Sequence, residues 1–299
     1  MLAFVFPGQG SQFLGMGKEI IEEDKGYKVY FKIAQETIGV DLEKIIYGDD
    51  EAELVKTENA QPAILTVSYI AYKYLTEKVG LKPDIVAGHS LGEWTALIAA
   101  DVISFEEAVS LVRNRGIYME EACPDGAGTM AAIIGLDETA ISKILEVYPD
   151  VSIANFNSPG QVVISGKSEQ IKIAIQELKR AGARRAIELN VSGPFHSKFM
   201  KSAEEKLRKD LEKIRFNAPS IPIVQNVTAQ IETNPERIKE NIIKQISEPV
   251  RWTECVVKLK EFGVNKFIEV GFRNILTNLI RRTIKDVSCE TLIKMLMVA

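Results

Sequence analysis

Cysteine and histidine are scarce in this sequence, which has three cysteines and two histidines among its 299 residues. The cysteines, Cys123, Cys255 and Cys289, form no C-x-x-C pair and are odd in number. This argues against a disulfide framework or a zinc site and fits the reducing cytoplasm. Chemistry that depends on an imidazole has only His89 and His196 to draw on.

The sequence also lacks an excess of positive charge and any long apolar run. Its formal net charge is −4, whereas proteins that bind nucleic acid carry a basic surplus. No uninterrupted apolar stretch approaches the roughly 20 residues that span a bilayer. The apolar residues 1–6 are followed at once by Pro7 and Gly8, without the basic residues of a signal peptide. We expect a soluble, cytoplasmic protein that contacts neither nucleic acid nor membrane.

The composition is that of an ordinary globular protein, 46% hydrophobic and 26% charged, with length enough for one large or two smaller domains. The first part of the chain is predicted to hold strands over 2–6 and 84–87 and helices over 62–79 and 105–121. Pro62 would lie in the first turn of its helix, where proline is tolerated. Ser104 and Glu107 form the capping box that begins the helix toward Glu121.

Between residues 126 and 193 the pattern changes to β-α-β-β-α-β. Strands are predicted over 130–134, 151–155, 161–165 and 184–189, and helices over 138–147 and 168–181. This order is typical of a ferredoxin-like α+β domain with its own antiparallel sheet. It predicts an insert, residues 126–193, within a discontinuous α/β domain of residues 1–125 and 194–299, whose mainly parallel sheet is flanked by helices.

The rest of the large domain continues the α/β pattern. Helices are predicted over about 197–214, 250–262 and 274–280, another helix is capped by Asn234, and strands are predicted over 221–226 and 266–270. The sequence contains no internal repeat, no low-complexity stretch and no long linker.

The most informative motif is Gly-His-Ser-Leu-Gly at residues 88–92, directly after the predicted strand 84–87. A G-x-S-x-G segment on a sharp strand-to-helix turn, the nucleophile elbow, presents a serine hydroxyl for attack and aims backbone N–H groups at a developing oxyanion. The helical segment 93–100 that follows strengthens this interpretation. The motif therefore predicts that Ser90 is a nucleophile for acyl chemistry.

A serine hydroxyl is a poor nucleophile unless a base lies within hydrogen-bond reach. His89 adjoins Ser90 on the elbow, where neighbouring side chains diverge, so it is the weaker candidate. His196 lies in the loop that re-enters the large domain from the insert. We therefore predict that His196 is the base.

These residues belong to a longer series that resembles one family, the malonyl-CoA:acyl carrier protein transacylases of type II fatty-acid synthesis and the related acyltransferase domains of polyketide synthases. The resemblance runs nearly end to end. The matching segments are residues 6–12, 88–93, 113–116, 155–161, 193–197, 225–228 and 269–271.

The resemblance implies a role for several residues around the serine. Ser90 would hold the acyl group as an oxyester, with His196 as general base and then general acid. The backbone N–H groups of Gln9 and Leu91 would form the oxyanion hole. A carbonyl at Gln245 would orient the histidine in place of a triad aspartate.

The resemblance also implies how the substrate is recognised. Arg115 matches the arginine that pairs with the malonyl carboxylate, a task suited to a planar, permanently charged guanidinium, whereas Arg113 is expected to be structural. Phe195 resembles the bulky residue of malonyl-type members and leaves little room for an α-methyl group. Asn155 and Asn157 are expected to build a loop near the cleft.

The activity that the resemblance implies is transfer of a malonyl group from malonyl-CoA to the phosphopantetheine thiol of acyl carrier protein. The partners would be that carrier and a coenzyme A thioester, with no metal or bound cofactor, and a monomer is expected. Because carrier proteins are acidic, a basic docking face is predicted. Its candidate clusters are Arg184 with Arg185, Lys198 with Lys201, and Arg281 and Arg282 with Lys285.

Other interpretations stay open. An esterase or thioesterase of the α/β-hydrolase class shares the elbow but places its histidine near the C-terminus and has no place for the insert. A patatin-like hydrolase would not need His196, and a catalytically silent subunit would only dock the carrier. The sequence also leaves open whether the transferase serves fatty-acid or polyketide synthesis.

Overall fold

A computed structural model of the chain describes residues 1–124 and 126–296. Residue 125, the predicted domain boundary, and residues 297–299 lie outside the described part. The strands are β1 (Leu2–Phe6), β2 (Ile85–Gly88), β3 (Gly128–Ile134), β4 (Val151–Ser158), β5 (Gln161–Lys167), β6 (Arg185–Glu188), β7 (Ile223–Val224), β8 (Ile231–Glu232), β9 (Lys266–Glu269) and β10 (Ser288–Thr291).

Helices connect and cover these strands. They are α1 (Lys18–Glu23), α2 (Val29–Ile38), α3 (Leu42–Tyr47), α4 (Glu51–Val55), α5 (Thr57–Lys73), α6 (Leu91–Ala99), α7 (Phe105–Glu121), α8 (Glu138–Leu145), α9 (Ser168–Arg180), α10 (Lys201–Leu211), α11 (Pro235–Lys244), α12 (Trp252–Glu261), α13 (Ile275–Thr283) and α14 (Leu292–Leu296). In the described part of the chain, none of them is long and apolar enough to cross a membrane.

The larger sheet has six strands in the order β10-β9-β1-β2-β7-β8. Every neighbouring pair is parallel except β7 and β8. Side chains of β1 alternate between its two faces: Phe4 and Phe6 enter one hydrophobic cluster, and Ala3 and Val5 enter another. Helices therefore cover both faces, and the predicted α/β class is confirmed, with a mixed sheet.

The second sheet has four strands in the order β4-β5-β3-β6, and all its pairs are antiparallel. One face packs against α8 and α9 through a cluster that contains Ile133, Ile141 and Leu178. On the other face Met130 and Val163 belong to the hydrophobic cluster of the large sheet. This sheet therefore has a helix-covered face and a face turned toward the rest of the molecule.

The helix predicted over 62–79 begins earlier, at Thr57, so Pro62 lies inside it rather than in its first turn. A proline there cannot donate to the carbonyl four residues before it, which is that of Glu58. The Nη1 group of Arg113 donates to that carbonyl at 3.0 Å instead. The arginine thus satisfies the acceptor that the proline leaves open, and the helix continues through it.

The strand predicted over 221–226 is reduced to β7, because Pro222 has no N–H for the ladder and the buried Gln225 and Asn226 turn toward other partners. The prediction that Asn155 and Asn157 build a loop is wrong, since both lie in β4.

Candidate active site

Ser90 lies between β2 and α6, on the turn that the motif predicts. Its backbone has φ 52° and ψ −109°, a conformation that costs a non-glycine residue energy and that recurs at functional sites. The tight turn needs glycine at Gly92, where a Cβ would lie 2.0 Å from the carbonyl oxygen of Phe6. The helix can therefore start against the end of β1 only because this residue has no side chain.

The hydroxyl of Ser90 lies in hydrogen-bond range of the predicted base, because its Oγ is 2.8 Å from Nε2 of His196 although the two residues are 106 positions apart. The other ring nitrogen, Nδ1, is 2.8 Å from the backbone oxygen of Gln245. A carbonyl can only accept, so Nδ1 carries the proton and Nε2 is the acceptor that faces the serine.

Burial keeps this imidazole neutral. His196 is 4% exposed, and burial, followed by the nearby positive charge of Arg115, lowers its pKa to about 3. An imidazole that is neutral at pH 7 can take the serine proton, whereas a protonated one could not. His89 is elsewhere engaged, with its Nε2 2.8 Å from Oδ1 of Asn157.

The guanidinium of Arg115 is 1% exposed and lies beside the same hydroxyl. Its Nη2 donates to Oγ of Ser90 at 3.1 Å and to Oε1 of Gln245 at 3.2 Å, and its Nη1 donates to Oε1 of Gln61 at 2.7 Å. Burial lowers its pKa to about 10, so it remains a cation at neutral pH. A positive, bidentate donor therefore stands next to the atom that would carry an acyl group.

The loop after β1 closely approaches the turn at Ser90. A Cβ on Gly8 would lie 2.3 Å from the carbonyl oxygen of His89 and 3.6 Å from the backbone nitrogen of Leu91. Glycine at this position thus brings the backbone of Gln9 next to the N-terminus of α6. The two N–H groups predicted for an oxyanion hole lie on these adjoining segments.

Asn226 is a further residue of the site, to which sequence reasoning gave no role. Its Oδ1 accepts from the backbone nitrogen of Ser90 at 2.7 Å, and its Nδ2 donates to the carbonyl of Gly88 at 2.7 Å. It holds both sides of the turn. Gln61 was missed as well, although a glutamine within the largely apolar segment 60–71 is a signal that the sequence shows.

A cavity of about 530 Å³ opens at Ser90 and His196. Its apolar lining includes Met119, Val163 and Phe195, and Phe195 is 5% exposed. The cavity is large enough for a small acyl group and part of a pantetheine arm. Val163 belongs to β5 of the smaller sheet, whereas Gln9 and His89 lie in the segments that follow β1 and β2 of the larger one, so both parts of the molecule line the cavity.

A serine on a strand-to-helix turn, with a histidine in hydrogen-bond range, is the arrangement of serine-dependent acyl-transfer enzymes. The family described as "acyl transferase domain" matches residues 3–297. The chain is 45% identical over 285 residues to the malonyl CoA-acyl carrier protein transacylase of Bacillus subtilis strain 168, with 94% of this chain and 90% of that protein covered. It is 44% identical over 293 residues to the corresponding enzyme of Escherichia coli K12, with 97% and 95% covered.

Solved structures agree. An acyl carrier protein S-malonyltransferase from Vibrio cholerae superposes with a TM-score of 0.94 at 43% identity over 97% of this chain and 96% of that one. A malonyl-transacylase, solved in complex with a type II polyketide acyl-carrier protein, superposes with a TM-score of 0.96 at 41% identity over 100% and 99%. The chain belongs to the acyl transferase family, among its malonyl CoA-acyl carrier protein transacylases.

Proposed function

We propose that the protein transfers the malonyl group of malonyl-CoA to the phosphopantetheine thiol of an acyl carrier protein, for fatty-acid synthesis, through an acyl-enzyme on Ser90. The observation that carries this proposal is that one hydroxyl has both a base and a cation beside it. Nε2 of His196 is 2.8 Å and Nη2 of Arg115 is 3.1 Å from Oγ of Ser90. The base prepares the oxygen to attack, and the cation suits an acyl group that ends in a carboxylate.

In the first half-reaction, Oγ of Ser90 attacks the thioester carbonyl while Nε2 of His196 takes its proton. The oxyanion accepts hydrogen bonds from the N–H groups of Gln9 and Leu91, and loss of one such donor typically costs about 2.7 to 4 kcal/mol of transition-state stabilisation. The carbon–sulfur bond then breaks, and the imidazolium returns its proton to the sulfur of coenzyme A. The malonyl group is left as an ester of Ser90.

The second half-reaction runs the same steps in reverse with another thiol. His196 takes the proton of the phosphopantetheine thiol, the sulfur attacks the ester carbonyl, and Oγ of Ser90 leaves with the proton. The Nδ1–H bond to the carbonyl of Gln245 keeps the same tautomer through both halves. Throughout, the guanidinium of Arg115 holds the malonyl carboxylate, and Phe195 limits the space beside its α-carbon.

We also propose a finer assignment of the fold. We assign residues 126–193 to a ferredoxin-like insert and residues 88–92 to a nucleophile elbow within the large domain. The strand order β4-β5-β3-β6 with two helices on one face supports the first assignment, and the positive φ of Ser90 supports the second. The cavity that opens at Ser90 is lined from both domains, which helps to keep water from the waiting ester.

The test is labelling with radioactive malonyl-CoA, first without and then with carrier protein. We expect the wild type to take up label and to release it to the carrier, Ser90→Ala to take up none, and His196→Ala to take it up far more slowly. Label that reaches water instead of the carrier would support a hydrolase. Full activity of His196→Ala would support the patatin-like alternative, and carrier binding without labelling would support a silent docking subunit.

A second candidate is the same transfer in polyketide synthesis. It is favoured by the similarity to the malonyl-transacylase that was solved with a type II polyketide carrier. Transfer rates to a fatty-acid carrier and to a polyketide carrier, measured side by side, distinguish the two roles.

A further inference from the structure

Glu93, in the first turn of α6, is a buried carboxylate that the transfer steps do not use. The residue is 1% exposed. Its Oε2 accepts from the backbone nitrogen of Asn226 at 3.0 Å and from Nε2 of Gln245 at 2.8 Å, and its Oε1 accepts from Nε2 of Gln225 at 3.2 Å. All three donors are neutral, so the buried negative charge has no cation in direct contact within the described chain. Burying such a charge is expensive.

The carboxylate fixes the orientation of the side-chain amide of Gln245. Nε2 of that amide donates both to Glu93 and, at 2.9 Å, to the carbonyl of Ser90. Its Oε1 is therefore turned away from these two acceptors and accepts from Nη2 of Arg115 at 3.2 Å. A flipped amide would set its oxygen against two acceptors and its NH₂ group against a guanidinium that can only donate.

Arg115 receives charge compensation through this amide without a direct ion pair. Among the residues that the structure describes, no carboxylate lies within salt-bridge distance of its guanidinium, whose partners are the oxygens of Gln61, Ser90 and Gln245. Burial raises the pKa of Glu93 to about 7, opposed first by its three hydrogen bonds and then by the charge of Arg115. Burial lowers the pKa of Arg115 to about 10, opposed by the charge of Glu93. A carboxylate bound directly to the guanidinium would compete with the carboxylate of the substrate.

We propose that Glu93 is a positioning residue for acyl-group selection: through the amide of Gln245 it aims the guanidinium of Arg115 and balances its charge without itself pairing with the guanidinium. This inference rests on the proposed malonyl transfer. Because Gln245 orients His196 by its backbone carbonyl and Arg115 by its side chain, the effect of Glu93 falls on selection of the acyl group more than on the serine–histidine pair.

The test compares malonyl and acetyl transfer to Ser90, measured as kcat/KM from the two coenzyme A thioesters. Glu93→Gln keeps the size of the side chain, but it places an NH₂ donor where the three neighbouring groups are themselves donors. We expect the ratio of malonyl to acetyl transfer to fall by about 10-fold or more, the scale typical of a residue one step removed from a ligand, with acetyl transfer changed less than malonyl transfer. An unchanged ratio, or an equal loss with both substrates, overturns the proposal.

Glu269→Gln is the matched control. Glu269 is also fully buried and accepts from two backbone N–H groups, those of Leu276 and Thr277, at 3.0 and 2.8 Å, but it has no link to Arg115. Glu269→Gln should lower stability and leave the ratio of malonyl to acetyl transfer unchanged.

If Glu93→Gln does not fold, Glu93→Asp provides the test. Aspartate keeps the negative charge on a side chain that is one methylene shorter, so it should lower the ratio by a smaller factor. If the wild type shows no malonyl labelling, the proposed function itself is wrong. If the wild type prefers malonyl but Glu93→Gln lowers malonyl and acetyl transfer equally, only this inference is wrong.

Discussion

Arg113 and Arg115 lie two positions apart on α7 and have opposite surroundings. Arg113 is half-buried and is held by the helix it packs against, donating to the carbonyl of Glu58 at 3.0 Å and pairing with its carboxylate at 3.5 Å. Arg115 is buried and its guanidinium reaches Ser90. The two arginines come from one sequence segment but have different roles, because Arg113 stabilises α5 and Arg115 belongs to the site.

We expect Arg115→Ala to lower malonyl transfer by about 100-fold, which corresponds to roughly 2.7 kcal/mol, and to shift the preference toward uncharged acyl groups. The reason is that the substrate carboxylate would lose its only buried cation near Ser90 within the described chain. Steady-state assays with malonyl-CoA and acetyl-CoA measure the effect. Arg113→Ala is the control, expected to cost about 1 kcal/mol of stability without altering the preference. The same preference in Arg115→Ala as in the wild type would contradict the assignment.

Two groups of the site, His196 and Glu93, are expected to titrate in different pH ranges. His196 has its pKa lowered to about 3, so its imidazole stays neutral through the mildly acidic range, while Glu93 has its pKa raised to about 7. Arg115 and the thiol of Cys255 are the other titratable groups that face Glu93, and both keep their charge state between pH 5 and 8.

Malonyl transfer is therefore expected to fall as the pH drops through about 7, because the protonated carboxyl of Glu93 no longer accepts from all three donors. A profile of kcat/KM against pH measures this, and Glu93→Gln should lack the acidic limb. A limb that persists in Glu93→Gln would indicate instead that His196 titrates near its ordinary pKa of 6.5.

At the scale of elements, the contact between β1 and α6 decides whether the serine turn can form. In Gly92→Ala the new Cβ would stand 2.0 Å from the carbonyl oxygen of Phe6, so the helix must move away from the sheet. We expect a loss of about 1–3 kcal/mol of stability and a larger loss of transfer activity, measured by denaturant unfolding and by labelling of Ser90. Gly39→Ala, at a helix end with open space around it, should cost about 1 kcal/mol and leave activity intact.

Much of this architecture could be predicted from the sequence, because its strongest patterns are local. The alternation of strands and helices over residues 126–193 and the strand before Ser90 are visible in short windows. Three helices between Lys18 and Tyr47 were not predicted, although Asp41 caps one of them, since each is only a few turns long. Strand β10, four residues at a sheet edge, was missed for the same reason.

The residues of the site could be predicted only in part. Motif and resemblance led to Ser90, His196 and Arg115, which the structure brings together. Glu93 and Asn226 could not be given roles, because those roles arise from contacts across 133 and 136 positions of sequence. Buried polar side chains acquire meaning only once their partners are known.

For the molecule as a whole, the basic clusters predicted for carrier docking differ in how free their charges are. Lys198 pairs with Asp150 at 2.7 Å and Lys201 with Glu204 at 2.6 Å. Arg185 is exposed, and no salt bridge joins it to any residue in the described ranges. An unpaired cation attracts an acidic partner more effectively than a neutralised one.

Arg185 lies at one end of the strands of the smaller sheet, Arg282 contacts the same end, and the two form the best candidate for this docking face. Arg185 and Gln161 both align with Ile134 in the strand register, and Nη1 of Arg282 donates to Oε1 of Gln161 at 2.6 Å. The chain of β6 runs on to Leu189, which lines the cavity at Ser90. We therefore expect a carrier that touches these cations to lie near the opening that its thiol must reach.

We expect the double charge reversal Arg185→Glu and Arg282→Glu to raise the apparent KM for carrier protein about 3- to 10-fold at low ionic strength, less at high salt, and to leave the KM for malonyl-CoA unchanged. Lys78→Glu with Lys82→Glu provides the control with the same change of net charge, because both lysines are exposed and precede β2, at the end of the strand away from Ser90. Equal effects of the two sets of variants would mean that only net charge matters, and no effect of either would remove this surface as a docking face. A selective effect would show that a protein with a net charge of −4 presents a local basic surface to an acidic partner, since short-range charge outweighs the total at distances within the screening length.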